Sequence, residues 1–156
     1  MPYVQFSDAS QVAVVSVFGC PQDPTEYPNQ GEVPDDDPRY LAFMDPPPDY
    51  LAINSAKLQQ FIQLAAAQKT ALTNRIGDLE SAIENTGVEG QEEFAATPEE
   101  EAEYPVRKAQ LTKWKNYSIS LGRVTAQAGW HTVVTWPVQP TSGMDLTVSA
   151  SAPSTV

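Results

Sequence analysis

The chain has 156 residues, with 9 Lys and Arg against 20 Asp and Glu, for a formal net charge of -11. That length suits one domain, or one small domain with an appendage, and that charge excludes binding of nucleic acid or an anionic membrane surface by bulk attraction. The single cysteine, Cys20, excludes an internal disulfide, and no apolar run approaches the roughly 20 residues a transmembrane helix needs.

Residues 11–18 (QVAVVSVF) read as a strand, because β-branched residues dominate and Gly19 follows. Val12, Val14, Ser16 and Phe18 share one face and Ala13, Val15 and Val17 the other. Both faces are largely apolar, which predicts a covered or central strand. Residues 3–6 (YVQF) are its expected partner, with residues 7–10 (SDAS) as the turn. Cys20 after Val17-Phe18-Gly19 has a faint lipoprotein pattern. Residues 1–19 hold no Lys or Arg, however, and Asp8 occupies the place of the basic region, so a leader is not favoured.

Eight of the 14 prolines fall between Pro21 and Pro48. Such density predicts extended and turn conformations without regular ladders. Within it, Asp37 suits a helix N-cap and Pro38 the first helical position. A short helical turn from Pro38 to about Met44 would bring Tyr40 and Phe43 together, with Leu41 close by. The triplet Asp35-Asp36-Asp37 invites a metal reading. Three adjacent carboxylates cannot all converge on one ion, however, so an N-cap and a solvated turn are the expectation.

Residues 56–86 read as a long helix. Leu58, Ile62, Ala65, Lys69, Leu72, Ile76, Leu79 and Ile83 alternate steps of four and three, with Lys69 the one misfit. Thirty helical residues reach about 45 Å, more than a small domain needs. The seam therefore packs either in an intramolecular helical hairpin or in a coiled coil between chains, with self-association through residues 58–83. Asn85-Thr86-Gly87 is a natural stop. Residues 87–103 form an acidic connector whose only large apolar anchor is Phe94. Thr97-Pro98-Glu99-Glu100 is a strong helix start with a capping box. Pro105 predicts a kink or a fresh start, with the main helix running to about Val124. On that helix Leu111, Trp114, Tyr117, Leu121 and Val124 share one face, while Lys108, Lys113, Lys115 and Arg123 lie largely off it.

After Gly129, residues 130–136 (WHTVVTW) predict a strand with Trp130, Thr132, Val134 and Trp136 on one side, ended by Pro137 and Pro140. Residues 141–156 read as a tail. The alternation from Leu146 to Ala150 could add a strand, but disorder is the expectation. The whole predicts an α+β protein: a small N-terminal β/proline-rich module over residues 1–50, a long helical middle over 51–125, and a C-terminal aromatic-proline segment with its tail over 126–156.

Chemistry is scarce along this chain. His131 is the only histidine and lies far from Cys20 in sequence, and zinc-ligand spacing, a Gly-rich phosphate loop, GxSxG and HExxH are all missing. No catalytic, cofactor or metal role is therefore expected, and the reading is that of a binding protein. The aromatic stripe is first of all core, with Trp114 and Leu121 buried. Trp and Tyr also anchor interfaces, and Trp136-Pro137-x-x-Pro140 is stiff enough to lose little entropy on docking, so Trp130 and Trp136 are candidates for contact.

The arrangement W-x-x-Y-x-x-x-L-x-R-V, a variable segment, then W-P-x-x-P resembles the C-terminal signature of the tail fibre assembly proteins of tailed phages and phage-tail-like bacteriocins. Trp114, Tyr117, Leu121, Arg123, Val124, Trp136, Pro137 and Pro140 carry it. The N-terminal order of apolar strand, Pro-Gln-Asp-Pro, three aspartates and Pro-Arg-Tyr-x-Ala-Phe is similar to segments of such proteins and of fibre tips. The resemblance implies a chaperone, working without nucleotide, that binds the C-terminal region of a trimeric tail fibre and promotes its folding and assembly. It would act in the host cytoplasm, and some members stay on the finished particle. Expected partner-binding residues are Trp130, Trp136, Pro137, Pro140, Arg123 and Tyr117, with no nucleic-acid or membrane partner. A permanent virion component at the fibre tip or baseplate, and a coiled-coil adaptor, are the alternatives.

Overall fold

The computed structural model describes residues 1–147. It divides into two compact units, Met1–Asp49 and Tyr50–Val156.

The first unit is a three-stranded antiparallel sheet of β1 (Tyr3–Phe6), β2 (Val14–Phe18) and β3 (Gln30–Glu32), in the order β2-β1-β3, followed by helix α1 (Pro38–Met44). Its core is Val4, Phe6, Val14 and Val33, with Val17 and Tyr40 packed against it. The apolar strand is thus an edge, not the covered or central strand its two apolar faces predict. Val15 is 47% exposed and the shorter β1 takes the centre. The strand also starts late. The loop closes with Ser7 N–H donating to the Ala13 carbonyl (2.9 Å), and Gln11 within it takes a positive φ of 57°.

Proline density does not prevent a ladder everywhere. Residues 29–33 are free of proline and pair with the other edge of β1, a strand that composition concealed. Gly31 gives the Phe6 ring room there, since a Cβ would sit 3.1 Å from it. Helix α1 has the expected limits and cap, with Asp37 accepting from Arg39 N–H at 2.9 Å. Arg39 also pairs with the Asp37 carboxylate (2.7 Å), donates to the Gln11 carbonyl (2.9 Å) and lies 4.8 Å over the Phe6 ring. These hydrogen bonds hold the Asp37 carboxyl down to about 2. Tyr40 goes to the sheet core, whereas Leu41 and Phe43 are exposed, so the expected cluster of the three does not form.

The second unit is a helical hairpin of α2 (Tyr50–Asn85) and α3 (Pro98–Gly122). Cross-contacts run antiparallel. Lys69 Nζ donates to Ser118 Oγ (2.9 Å), Arg75 pairs with Glu103 (2.6 Å), and Tyr104 Oη donates to Glu80 (2.7 Å). Helix α2 begins earlier than periodicity predicts. Its first turn carries Tyr50, Leu51 and Ile53 exposed, and an exposed apolar turn leaves no seam to read. The buried face is Leu58, Ala65, Gln68, Leu72, Ile76 and Leu79. Ile62, expected in the seam, is 40% exposed, and Gln68 rather than Lys69 fills the step between Ala65 and Leu72. Burying each large apolar side chain contributes roughly 1.5–3 kcal/mol. Leu58, Ala65 and Leu72 of this face pack within one chain against Trp114, Tyr117, Leu121 and Val124.

The connector stops α2 as expected, with Gly87 at φ 78°. Its anchor differs, because Phe94 is 57% exposed and Ala96 N–H donates to the Ala82 carbonyl at 2.8 Å. The Thr97–Glu100 capping box is complete in both directions, 3.2 and 3.0 Å. Helix α3 then runs through Pro105 instead of restarting there. Pro105 and Glu101 are both exposed, so water can satisfy the carbonyl that loses its donor.

Candidate partner-binding site

Beyond α3 the chain makes a short helical turn, Val124–Ala126, and then no regular element up to residue 147. The strand expected over residues 130–136 does not form. With no partner strand beside it, the chain instead turns, Val133 N–H donating to the Gly129 carbonyl at 2.8 Å. Side chains then supply the hydrogen bonds that a ladder would have supplied. Gln127 clamps Thr135, donating to its carbonyl (2.7 Å) and accepting from its N–H (2.9 Å). Asn54 donates to the His131 carbonyl (2.6 Å). Gln68 clamps Met144 in the same two-sided way, at 2.8 and 2.9 Å. Trp114 Nε1 donates to the Ser142 carbonyl (2.9 Å), and Arg107 Nη1 to the Gly143 carbonyl (3.3 Å). A Cβ at Gly143 would collide with Gln68 Oε1 and lie 2.8 Å from Trp114 Nε1, so glycine allows this close approach.

This latch brings residues 137–141 alongside α3. Between them lies an open groove of about 530 Å³, lined by Lys113, Asn116, Tyr117 and Ser120 of the helix and by residues 137–141. That size is in the range of ligand pockets. Tyr117 is 4% exposed, and its hydroxyl is the one buried side-chain polar atom among the described residues without a hydrogen-bond partner. Burial pushes its phenol pKa up. Val138, in the same lining, is 91% exposed.

Of the six residues expected to bind a partner, the fold brings Tyr117, Pro137 and Pro140 together at this groove. Trp130 and Trp136 are half-buried against the hairpin core instead. Trp136 meets Phe61 edge-on at 5.3 Å and lies 4.8 Å under Lys57 Nζ. Arg123 is exposed as the C-cap of α3 and is not in the groove lining. Lys113, Asn116, Ser120 and Val138 were not anticipated. For Lys113, Asn116 and Ser120 the signal was a polar stripe at steps of three and four beside the aromatic one; Val138 gave none.

Charge is divided unevenly along the chain. Residues 1–103 carry four Lys and Arg against nineteen acids, a net -15, and residues 104–156 carry five against Asp145 alone, a net +4. Lys113, Lys115 and Arg123 form no ion pair among the described residues. Elsewhere, among the described residues no group of three His, Cys, Asp or Glu side chains is placed to hold a metal, and no helix is long and apolar enough to cross a membrane. Compared with known proteins, the chain matches no family model, no curated protein and no solved structure.

Proposed function

We propose that this protein is a tail fibre assembly chaperone, which binds the C-terminal region of a trimeric fibre in the host cytoplasm and shields it until three chains meet. The identity of the partner rests on the resemblance of the W-x-x-Y-x-x-x-L-x-R-V and W-P-x-x-P pattern. The observation that supports a binding role is the groove itself: Tyr117, Pro137 and Pro140 of that pattern line one open, largely apolar surface beside the hairpin helix α3. Folding trimeric fibres expose apolar faces and unpaired strand edges, and a partner that covers them lowers aggregation by binding alone, without catalysis or a nucleotide. The net charge of -11 keeps such a complex soluble.

The test is expression of a trimeric tail fibre from the same source, with and without this chain. The expected result is that soluble trimer accumulates only in its presence and that the two proteins co-purify. Equal yields of soluble trimer in its absence would overturn the chaperone reading.

A further inference from the structure

We infer that Gln68, Trp114 and Arg107 form a receptor for peptide backbone, which residues 142–144 fill from within the chain, and that an extended segment of a partner protein, carrying glycine followed by an apolar residue, displaces them. The proposal does not rest on the chaperone reading, and it concerns other contacts than the groove between α3 and residues 137–141.

Two of the receiving side chains are buried in the hairpin: Gln68 is 7% exposed and Trp114 3%. Gln68 donates to the Met144 carbonyl (2.8 Å) and accepts from the Met144 N–H (2.9 Å), as a neighbouring strand would. Trp114 Nε1 donates to the Ser142 carbonyl (2.9 Å) and Arg107 Nη1 to the Gly143 carbonyl (3.3 Å). All four bonds end on backbone atoms, so they impose no side chain on the occupant. Packing imposes two residues. A Cβ at Gly143 would collide with Gln68 Oε1, and the Met144 side chain packs against the hairpin core. Glycine followed by an apolar residue is therefore what the site selects. The hold on the resident segment is short. Residues 141–142 and 145–147 are exposed, and only Gly143 and Met144 between them are half-buried. Vacating the site is costly, because a buried amide and a buried indole N–H would lose their partners. Exchange for an equivalent backbone is not, because every bond is remade. An open cavity of about 390 Å³ adjoins the contact, lined by Leu64, Gln68, Trp114 and residues 139–145, and gives an incoming segment access. A second copy of this chain is the less suited donor, because copies of net charge -11 repel one another.

The experiment measures, by fluorescence anisotropy, binding of a labelled peptide with the sequence of residues 141–147 (TSGMDLT) to the full-length chain. In wild type the resident segment competes at an effective concentration on the order of millimolar. Gly143→Ala in the protein weakens that competitor and should raise peptide affinity about tenfold or more, with helical content by circular dichroism unchanged. Met144→Asp, which puts a charge on a half-buried side chain, frees the same segment and should give the same gain. A peptide with alanine in place of its glycine should bind about tenfold more weakly or worse, for want of room beside Gln68. Adding Gln68→Ala to Gly143→Ala should abolish binding. Equal affinity of wild type and both variants, or equal binding of the glycine and alanine peptides, overturns the proposal. So does binding that survives Gln68→Ala, and so does loss of helical content in both variants, which would make the segment part of the hairpin's own fold. A wild-type chain that sediments as a dimer dissociated by the peptide would assign the occupant to a second copy and overturn the partner assignment. Should soluble fibre trimer form without this chain while the peptide still binds through its glycine, the chaperone reading falls and the receptor stands.

Discussion

The α2–α3 hairpin and the irregular segment after it share one hydrophobic core but are built by different rules. The hairpin satisfies its backbone internally, so its side chains are free to interdigitate, and periodicity describes it. The segment over residues 127–147 has no ladder; besides local turn bonds, backbone groups of His131, Ser142, Gly143 and Met144 are held by side chains of distant residues, Asn54, Trp114, Arg107 and Gln68. Polar groups placed in an apolar seam are therefore latches. Gln68 is the plainest case, being buried in the seam because both ends of its amide bind Met144.

That contrast can be broken at graded cost. Trp114→Ala removes a buried ring, its edge-on contact with Tyr117 at 5.7 Å and its bond to Ser142. The loss should be about 3–5 kcal/mol, read as a collapse of the denaturant midpoint, and it strikes hairpin and latch together. Trp136→Ala should cost roughly 2 kcal/mol, because the ring is only half-buried on Phe61. Helical content by circular dichroism should stay unchanged. If that variant unfolds, the segment is part of the hairpin core and the contrast is lost.

Gln68→Ala separates the two regions most sharply. It should cost about 2 kcal/mol, from two lost hydrogen bonds and the backbone groups they leave unpaired. Hydrogen exchange should speed up at Met144 well before it does in the middle of α2. Uniform acceleration along α2 would show that latch and hairpin open as one unit.

Glu103→Gln tests the hairpin alone. Glu103 accepts from Arg75 and Arg107, and those bonds hold its pKa below the ordinary 4.5, at about 2. A carboxyl depressed in the folded state contributes stability above its unfolded value, and that contribution is lost as pH falls from about 4.5 through about 2. With the groups partly exposed, the substitution should cost about 1 kcal/mol at pH 7 and flatten the acid limb of the stability curve in that window. The smallest effect is expected at Ile62→Glu, under ~0.5 kcal/mol, since the residue faces outward despite its place in the heptad count.

Local chemistry was enough for several elements, because their causes lie within a few residues. Asp37 and Pro38 start α1, Thr97 and Glu100 start α3, Gly87 ends α2, and Trp114, Leu121 and Val124 are core. Tertiary structure decided whatever depends on a partner distant in sequence. The apolar run at residues 14–18 became an edge because β3 emerged from a proline-rich stretch to take the other side of β1. A step of three or four could not distinguish Gln68 from Lys69 until Met144 arrived to bind one of them. The WHTVVTW run has the composition of a strand but no strand beside it, so side chains of the hairpin set its path. The groove exists only because that path returns to α3. Its residues could be named in part from the sequence, but their meeting could not, because helical periodicity specifies a face and not what is brought to lie against it.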